Sequence, residues 1–338
     1  MKKVLVTGSQ GFLGSYICRD LLAKDYQVLG VDNYSKYGKI ERSHDGHPNF
    51  KILEMDLDKP VPGDALDEWN AFEPDYIICA AAMIGGIGYF HKYAYDLLAT
   101  NERILGTTFD KGISSKDTCK RIIVLSSSMA FENTKSFPTK EEEITKCPPP
   151  FSTYGFQKLA CEYFAKGAWE QYGLPYTIIR PFNCVGVGEH FFGEESEKLN
   201  LGHVLPSLIY KILSNQNPVE ILGDGNQVRC FTNGVDFARG VRMALESDKA
   251  FNEDFNLSIS KPLSILELAK MIWEKLREGE DFNYKSTPAF AHDVQLRVAD
   301  VTKAKEILGF TAEISIEESI NEVIEHVREL YFKESLNG

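Results

Sequence analysis

Residues 3–14, KVLVTGSQGFLG, decide the fold, because an apolar run leads directly into three glycines spaced three residues apart. Glycine permits a tight turn and a close backbone approach to a pyrophosphate, and the free N–H groups at a helix start favour an anion. Asp32 ends the next apolar run, where a carboxylate accepts hydrogen bonds from ribose hydroxyls and repels a 2′-phosphate. The stretch predicts an NAD site, although Lys36 and Lys39 follow and temper the preference over NADP.

Short apolar runs alternate with helical stretches through the first two-thirds of the chain, which is typical of βαβ units. The runs are unbroken, as expected where helices cover both faces of a parallel sheet. They lie at residues 4–6, 27–32, 51–56, 76–80, 121–126 and 176–180. The pattern predicts an α/β fold, a Rossmann-type doubly wound parallel sheet with a smaller C-terminal α/β substrate-binding region.

Beyond residue 180 glycine and proline become frequent, and the polar stretch 189–200 is predicted to be a long loop. Ser264 with Glu267, and Ser315 with Glu318, are capping boxes that predict two helices near the C-terminus. We expect residues 1–182 to form the NAD-binding domain, with about 231–258 returning to it. The remainder, 183–230 and 259–338, is expected to form the substrate-binding region.

The composition excludes several classes of protein. With 37 basic and 49 acidic residues, the net charge of −12 disfavours general nucleic-acid binding. The seven cysteines are scattered and form no CxxC pair, so neither a disulfide framework nor a metal site is indicated. The sequence shows no cleavable leader and no membrane-spanning apolar segment, and a cytoplasmic location is expected.

Tyr154 and Lys158 are four residues apart, so on a helix they project from one face. A lysine ammonium stabilises a neighbouring phenolate and makes the tyrosine a usable general base for a sugar hydroxyl. Upstream, Ser126, Ser127 and Ser128 end a predicted strand, at the sheet edge where ligands bind in open α/β folds. These residues predict a hydride-transfer site.

The sequence closely resembles the extended short-chain dehydrogenase/reductase superfamily, in its NAD-dependent nucleotide-sugar epimerase/dehydratase branch, over nearly the whole chain. The matching pieces are TGSQGFLG, Asp32, Asp56-Leu57, CAAAMIGG, Asn101, SSSMAF, Tyr154-Gly-Phe-Gln-Lys158, RPFNCVG and LGDGNQVRCFTNGVD. The resemblance implies an enzyme with Ser127, Tyr154 and Lys158 as catalytic residues. It also implies a nucleotide-diphosphate sugar substrate and a homodimer formed through helices around Asn101 and Tyr154.

The resemblance further implies two sets of binding residues. Those expected to bind the cofactor are Gly8, Gly11, Phe12, Leu13, Gly14, Asp32, Asn33, Asp56, Leu57, Ala80, Ala81, Ala82, Asn101 and Lys158. Those expected to bind the substrate are Met83, Gly85, Ser128, Met129, Asn183, His203, Val204, Arg229 and Arg297, with the two arginines on the diphosphate. His190, Phe191 and Phe192 are further candidates for the pocket.

The segment Ser127–Met129 narrows the choice among the reactions that the family catalyses. The family's 4,6-dehydratases carry Thr-Asp-Glu where this chain has Ser127, Ser128 and Met129. Segments 83–87 and 203–206 are similar to GDP-fucose synthase and GDP-mannose 3,5-epimerase, but the cysteine of those enzymes is Met129 here, which transfers no proton. His203 is read either as an acid and substrate ligand or as a helix-start residue.

Without those specialised groups, the remaining set is Ser127, Tyr154, Lys158 and NAD, which suffices for reversible oxidation at C4. A nucleotide-sugar 4-epimerase with recycled NAD is therefore the leading hypothesis. The alternatives are a nucleotide-ketosugar reductase or 4-dehydrogenase, a GDP-sugar 3,5-epimerase-like enzyme, and a non-catalytic dinucleotide-sensing protein. The sequence does not assign the nucleotide or the sugar.

Overall fold

The computed structural model describes residues 1–189, 202–289 and 293–333. Their main feature is a sheet of seven parallel strands. The strands are β1 (Lys3–Thr7), β2 (Gln27–Asp32), β3 (Phe50–Glu54), β4 (Tyr76–Cys79), β5 (Arg121–Leu125), β6 (Tyr176–Pro181) and β11 (Glu253–Leu257). Their order is β11-β6-β5-β4-β1-β2-β3, so the chain leaves β1 on one side and returns on the other. Such a switch point opens a crevice for ligands at the carboxyl ends of the strands.

Helices cover both faces of this sheet, because alternate residues of each strand point to opposite sides. In β1, Val4 and Val6 enter one buried cluster, which also contains residues of α1 (Phe12–Leu22) and α7 (Gly234–Glu246). Leu5 enters the other cluster, against α2 (Gly63–Ala71), α4 (Ala94–Ser114) and α5 (Thr153–Tyr172). The predicted doubly wound Rossmann-type fold is confirmed.

A separate core lies in the C-terminal part of the chain. It is built from α6 (Val204–Leu213), α8 (Ile265–Leu276) and α9 (Ile316–Tyr331), together with β8 (Val219–Leu222). Both predicted capping boxes are present, at Ser264 and at Ser315. The division of the chain into two regions at the predicted boundaries stays a prediction, which this separate core supports.

The smaller elements place two arginines side by side. Strand β9 (Val228–Cys230) lies between β12 (Pro262–Ser264) and β14 (Leu296–Arg297), and Arg229 is the direct partner of Arg297 in the β9–β14 pair. The others are α3 (Ile87–Lys92), β7 (Cys184–Val185), β10 (Thr232–Asn233), β13 (Tyr284–Thr287) and short helical turns at Ser128–Phe131, Glu141–Thr145, Asp248–Ala250 and Ala304–Leu308.

Among the described helices, none has both the length and the apolar character needed to cross a membrane. The proposed pocket residues His190, Phe191 and Phe192, and most of the predicted long loop, lie outside the described residues.

Candidate active site

The glycine-rich turn forms a cradle at the end of β1. Gly8 has a φ of +70°, and a Cβ there would lie 2.7 Å from the Cα of Ala81, so only glycine fits. A Cβ on Gly14 would overlap the Gly8 carbonyl oxygen. Helix α1 begins at Phe12, and its N-cap Gly11 offers no side chain to the first N–H groups. These backbone donors, with the positive end of the helix dipole, fit the pyrophosphate of a dinucleotide.

Asp32 is held in a fixed orientation at the end of β2. Its Oδ2 accepts the Gln10 N–H at 2.9 Å and its Oδ1 accepts the Tyr34 N–H at 2.8 Å. Burial raises the pKa of Asp32, and these two backbone bonds and the nearby Arg42 oppose that rise. The carboxylate keeps further lone pairs with which it can accept ribose hydroxyls.

The cation beside Asp32 is Arg42, which sequence reasoning missed. Arg42 is buried and donates from Nε (3.1 Å) and Nη2 (2.8 Å) to the Gln10 carbonyl. Of the two lysines considered from the sequence, Lys39 pairs with Glu54 at 2.6 Å, and Lys36 lies over the ring of the next residue at 5.1 Å. No spacing signal distinguishes Arg42 from other polar residues after β2, so only the folded loop identifies it.

His44 packs behind this site and makes stability depend on pH. Burial lowers the pKa of His44 from 6.5 to about 4, so it is neutral in the folded protein. The unfolded chain takes up this proton near pH 6.5, whereas the folded chain takes it up only near pH 4. The free energy of unfolding therefore has its full value above pH 6.5 and falls progressively as the pH drops from 6.5 through about 4. We expect a loss of about 3 kcal/mol over this window, at about 1.36 kcal/mol per pKa unit.

Urea unfolding at a series of pH values measures this effect. His44→Gln should flatten the dependence of the unfolding free energy on pH across this window, whereas exposed His91→Gln should leave it as in the wild type. Parallel curves for the wild type and His44→Gln would contradict the assignment.

The segment after β4 is held in place by hydrogen bonds from Thr7 and Asn101. The Asn101 side chain accepts the Met83 N–H at 2.7 Å and donates to the Met83 carbonyl at 3.0 Å, and the Ala81 N–H donates to Thr7 Oγ1 at 3.2 Å. Asn101, predicted to bind the cofactor, thus fixes the 80–86 segment, and its direct contact with a cofactor stays a prediction. Ala81 packs against the Gly8 turn, as a cofactor-facing segment requires.

Other predicted cofactor residues differ in how far they reach the surface. Phe12 and Leu13 are partly buried against the first core, and Leu57 is buried against the second. The Asp56 carboxylate lies near exposed Asn33. Burial raises its pKa, but hydrogen bonds from Asp58 and its neighbours outweigh that effect and lower the pKa. Their contacts with adenine or ribose stay predictions.

Tyr154 and Lys158 lie in the first two turns of α5, and both are buried. Tyr154 Oη donates to Ser127 Oγ at 3.4 Å, and Ser127 Oγ accepts the Met129 N–H at 3.1 Å. Lys158 Nζ donates to the Leu125 carbonyl at the end of β5, at 2.9 Å. The structure therefore brings the Ser127 hydroxyl and the Tyr154 phenol together, and it anchors the Lys158 ammonium at the end of the strand that leads to Ser127.

The Tyr154 ring is fixed by its surroundings. Phe90 stacks on it with ring centroids 5.2 Å apart and an interplanar angle of 22°. Met129 and Leu97 belong to the same buried cluster. The Gly85 backbone lies against the Tyr89 ring near this cluster, and Ser128 is buried in the turn that follows Ser127. A sugar at Tyr154 would meet a largely apolar wall among the described residues.

Arg229, which is buried, and Arg297, which is half-buried, form a pair of cations on adjacent strands. Burial, and then the charge of Arg297, lower the pKa of Arg229 to about 9, although the Asp293 carboxylate lies 3.3 Å away and opposes that shift. Burial also lowers the pKa of Arg297. Arg297 Nη1 donates to Asn183 Oδ1 at 3.2 Å, and its Nη2 lies 2.8 Å from Met129 Sδ.

The site around this pair contains hydrogen-bond donors that have no acceptor. Within the described residues, Arg297 Nε and Asn183 Nδ2 are buried and have no hydrogen-bond partner. Buried donors without partners are costly. Asp293 contacts Arg229, and Glu132 acts on Arg297 from farther away, but neither carboxylate reaches these two donors. The arrangement suits a multiply charged anion that supplies the missing acceptors.

His203 is the N-cap residue of α6, as one of its two interpretations predicted, but its side chain caps no backbone N–H. Its Nδ1 instead contacts the buried carboxylate of Glu189. That carboxylate keeps a lowered pKa despite its burial, because His203 and Lys36 lie close to it. Val204, predicted to bind substrate, is partly buried against the C-terminal core. The roles of His203 and Val204 stay predictions.

The chain matches known proteins over most of its length. The family model for the NAD dependent epimerase/dehydratase family matches residues 4–258. A putative UDP-glucose 4-epimerase of Methanocaldococcus jannaschii is 29% identical over 95% of this chain and 97% of its own length. UDP-glucuronic acid decarboxylase 1 of Xenopus tropicalis is 26% identical over 97% of this chain and 72% of its own.

A solved structure agrees with these matches. The UDP-glucose 4-epimerase of Thermotoga maritima, crystallised with UDP-glucose, superposes with a TM-score of 0.81 at 28% identity and covers 99% of both chains. The glycine cradle and Asp32 fit the cofactor that the family description names. The chain therefore belongs to the NAD dependent epimerase/dehydratase family and is an NAD-using enzyme of the extended short-chain dehydrogenase/reductase type.

Proposed function

We propose that this enzyme inverts C4 of a nucleotide-diphosphate sugar through a transient 4-keto intermediate. The observation that carries the proposal is the buried set of Ser127, Tyr154 and Lys158, in which Tyr154 Oη reaches Ser127 Oγ at 3.4 Å. A cation pair with unused donors lies beside this set, because Arg297 Nη2 is 2.8 Å from Met129 Sδ, and Met129 shares a buried cluster with Tyr154. Hydroxyl chemistry and an anion site are thus adjacent.

The chain's residues carry the proton in this scheme. Tyr154, as phenolate, takes the proton of the sugar C4 hydroxyl, and Ser127 Oγ holds that hydroxyl in place. The Lys158 ammonium stabilises the phenolate and is itself oriented by the Leu125 carbonyl. NAD, when bound, would supply the hydride chemistry, so that a hydride removed from C4 can be returned to the other face of the ketone. Tyr154 then gives the proton back to the C4 oxygen, so the sum of the cycle is inversion alone.

The NAD would be held by the backbone of the 8–14 turn, by Asp32 at the ribose and by the 80–82 segment. A backbone cradle of this kind needs no net positive charge on the protein, which agrees with the overall charge of −12. The cofactor can remain bound through the cycle, because inversion consumes no net reducing equivalent.

Met129 argues for C4 chemistry over the related reactions. It is buried beside Tyr154 and Arg297, at the place where the resemblance puts an acid or a cysteine in dehydratases and 3,5-epimerases. A thioether neither donates nor accepts a proton at neutral pH. Inversion at C4 needs no second proton-transfer group at this position.

The substrate diphosphate would bind Arg229, Arg297 and Asn183. Replacing Arg297 by Gln should raise KM for the nucleotide sugar about 10- to 100-fold, because a hydrogen bond to a charged group contributes about 1.5–3 kcal/mol. Calorimetry with the nucleoside diphosphate should show a similar loss of affinity, whereas the bare nucleoside should bind equally to both proteins. The control is Arg328→Gln, on helix α9, which removes only a pair with Glu325 three residues away. A variant that binds the diphosphate as the wild type does would contradict this role.

The proposed reaction is tested by denaturing the purified protein, identifying the released dinucleotide by mass spectrometry, and incubating fresh protein with UDP-, GDP-, CDP- and dTDP-sugars. UDP-glucose and UDP-glucuronic acid come first, because the relatives' names contain them. Retained NAD and an epimer of unchanged mass support the proposal. Products shifted by two mass units would make the enzyme a dehydrogenase or reductase, and loss of carbon dioxide would make it a decarboxylase.

A homodimer is proposed as the working form. Helices α4 and α5 pack against each other and carry exposed aromatic side chains, including Tyr95, which is 80% exposed, and Tyr163, which is 65% exposed. Exposed apolar surface of this kind is typical of protein interfaces. Sedimentation equilibrium tests the proposal: twice the chain mass supports it, and a single-chain mass contradicts it.

A further inference from the structure

The start of helix α5 has an unusual cap. Helices α8 and α9 each begin with a serine whose N–H and hydroxyl both donate to a glutamate three residues later, Glu267 or Glu318. In α5 the N-cap is Ser152 and the corresponding position is Gly155, which has no side chain. The first turn of α5 contains no acidic residue at all.

Glu132 supplies the missing carboxylate from another segment. Its Oε2 accepts the Ser152 N–H at 2.8 Å and the Ser152 hydroxyl at 3.0 Å, the pattern that Glu318 makes at Ser315. Ser152 Oγ in turn accepts the Gly155 N–H at 2.9 Å. The cap of α5 is therefore completed by a residue 20 positions upstream.

Glu132 also ends the turn that carries Ser127. The turn Ser128–Phe131 follows Ser127, and the Glu132 N–H closes it by donating to the Met129 carbonyl at 3.1 Å. A Cβ on Gly155 would lie 2.7 Å from that carbonyl oxygen and 2.9 Å from Glu132 Oε2. Glycine at this position lets the turn dock directly against the helix start.

We propose that Glu132 is a positioning residue, which ties the turn bearing Ser127 to the helix bearing Tyr154 and so sets the distance between their two hydroxyls. The inference rests on the proposed function only for its kinetic consequence. The contact joins the two segments that must move together if the Ser127–Tyr154 hydrogen bond is to keep its length. Misplacing reacting groups by about 1 Å costs up to roughly 100-fold in rate.

Three variants separate positioning from stability. Glu132→Ala should lower kcat about 10- to 100-fold at nearly constant KM. Glu132→Gln should recover much of that loss, because its amide oxygen can accept the same hydrogen bonds. Glu318→Ala removes the matching bonds at α9, away from the site, and should lower the melting temperature while leaving kcat within about twofold of the wild type.

Three outcomes overturn the inference. The first is that the wild type is active but kcat of Glu132→Ala is unchanged, or is no lower than kcat of Glu318→Ala. The second is that kcat of Glu132→Gln is no higher than kcat of Glu132→Ala. Hydrogen exchange keeps the test independent of the substrate, because amides at 152–158 should lose protection in Glu132→Ala whether or not any sugar is turned over. Unchanged protection there also overturns it, whereas an inactive wild type with lost protection counts against the proposed function alone.

Discussion

Tyr154→Phe should lower kcat by roughly 10²- to 10⁴-fold, the contribution usual for a positioned general acid–base group. The variant removes one oxygen and keeps the ring that stacks on Phe90, so the buried cluster around it stays filled. Binding of NAD and of the nucleotide sugar should be nearly unchanged, because neither the glycine cradle nor the arginine pair is altered. Single-turnover kinetics and calorimetry measure the two quantities separately.

The matched control is Tyr163→Phe, on an exposed stretch of the same helix. It should keep kcat close to that of the wild type. A Tyr154→Phe enzyme with more than about a tenth of the wild-type rate would remove Tyr154 from the proton-transfer role.

Arg180→Leu should lower the free energy of unfolding by about 3–5 kcal/mol, the usual cost of leaving a buried charge without its partner. Arg180 and Glu162 are fully buried and share two hydrogen bonds of 2.7 Å, and Arg180 Nη1 bonds Asp254 at 2.7 Å. Removing the guanidinium strands Glu162 in the interior, while Lys303 still compensates Asp254. Urea unfolding measures the loss.

The double variant Arg180→Leu with Glu162→Leu provides the control. It removes both charges and should recover a large part of the loss, since apolar replacement of a buried pair is often neutral. Lys146→Ala, which breaks an exposed pair with Glu142, should cost less than about 1 kcal/mol. A double variant as unstable as Arg180→Leu alone would show that packing, not charge, sets the cost.

The features that local sequence predicts are those that depend on near neighbours. Strand β2 matches its predicted bounds, and the capping boxes at Ser264 and Ser315 form as expected, because their partners lie three residues away. Tyr154 and Lys158 share a helix face for the same reason. Periodicity and capping are short-range properties, and the sequence states them directly.

The features that local sequence cannot predict are pairings between distant segments. Nothing in the spacing of Glu132 and Ser152, or of Arg42 and Gln10, marks them as partners, since the fold alone brings them together. The resemblance assigns Arg229 and Arg297 to the diphosphate, but only the folded strands β9 and β14 show that the two lie side by side. The local motifs of the site can thus be predicted from the sequence, whereas the contacts that position those motifs cannot.

In the proposed reaction, hydride leaves C4 and returns to C4 of the same sugar. The most direct measurement uses a nucleotide sugar deuterated at C4, with the product analysed by NMR and mass spectrometry. We expect a C4 epimer that retains its deuterium at C4, with no deuterium in released dinucleotide or solvent. Loss of the label from C4, or a deuterated reduced dinucleotide released in proportion to a ketosugar, would contradict it.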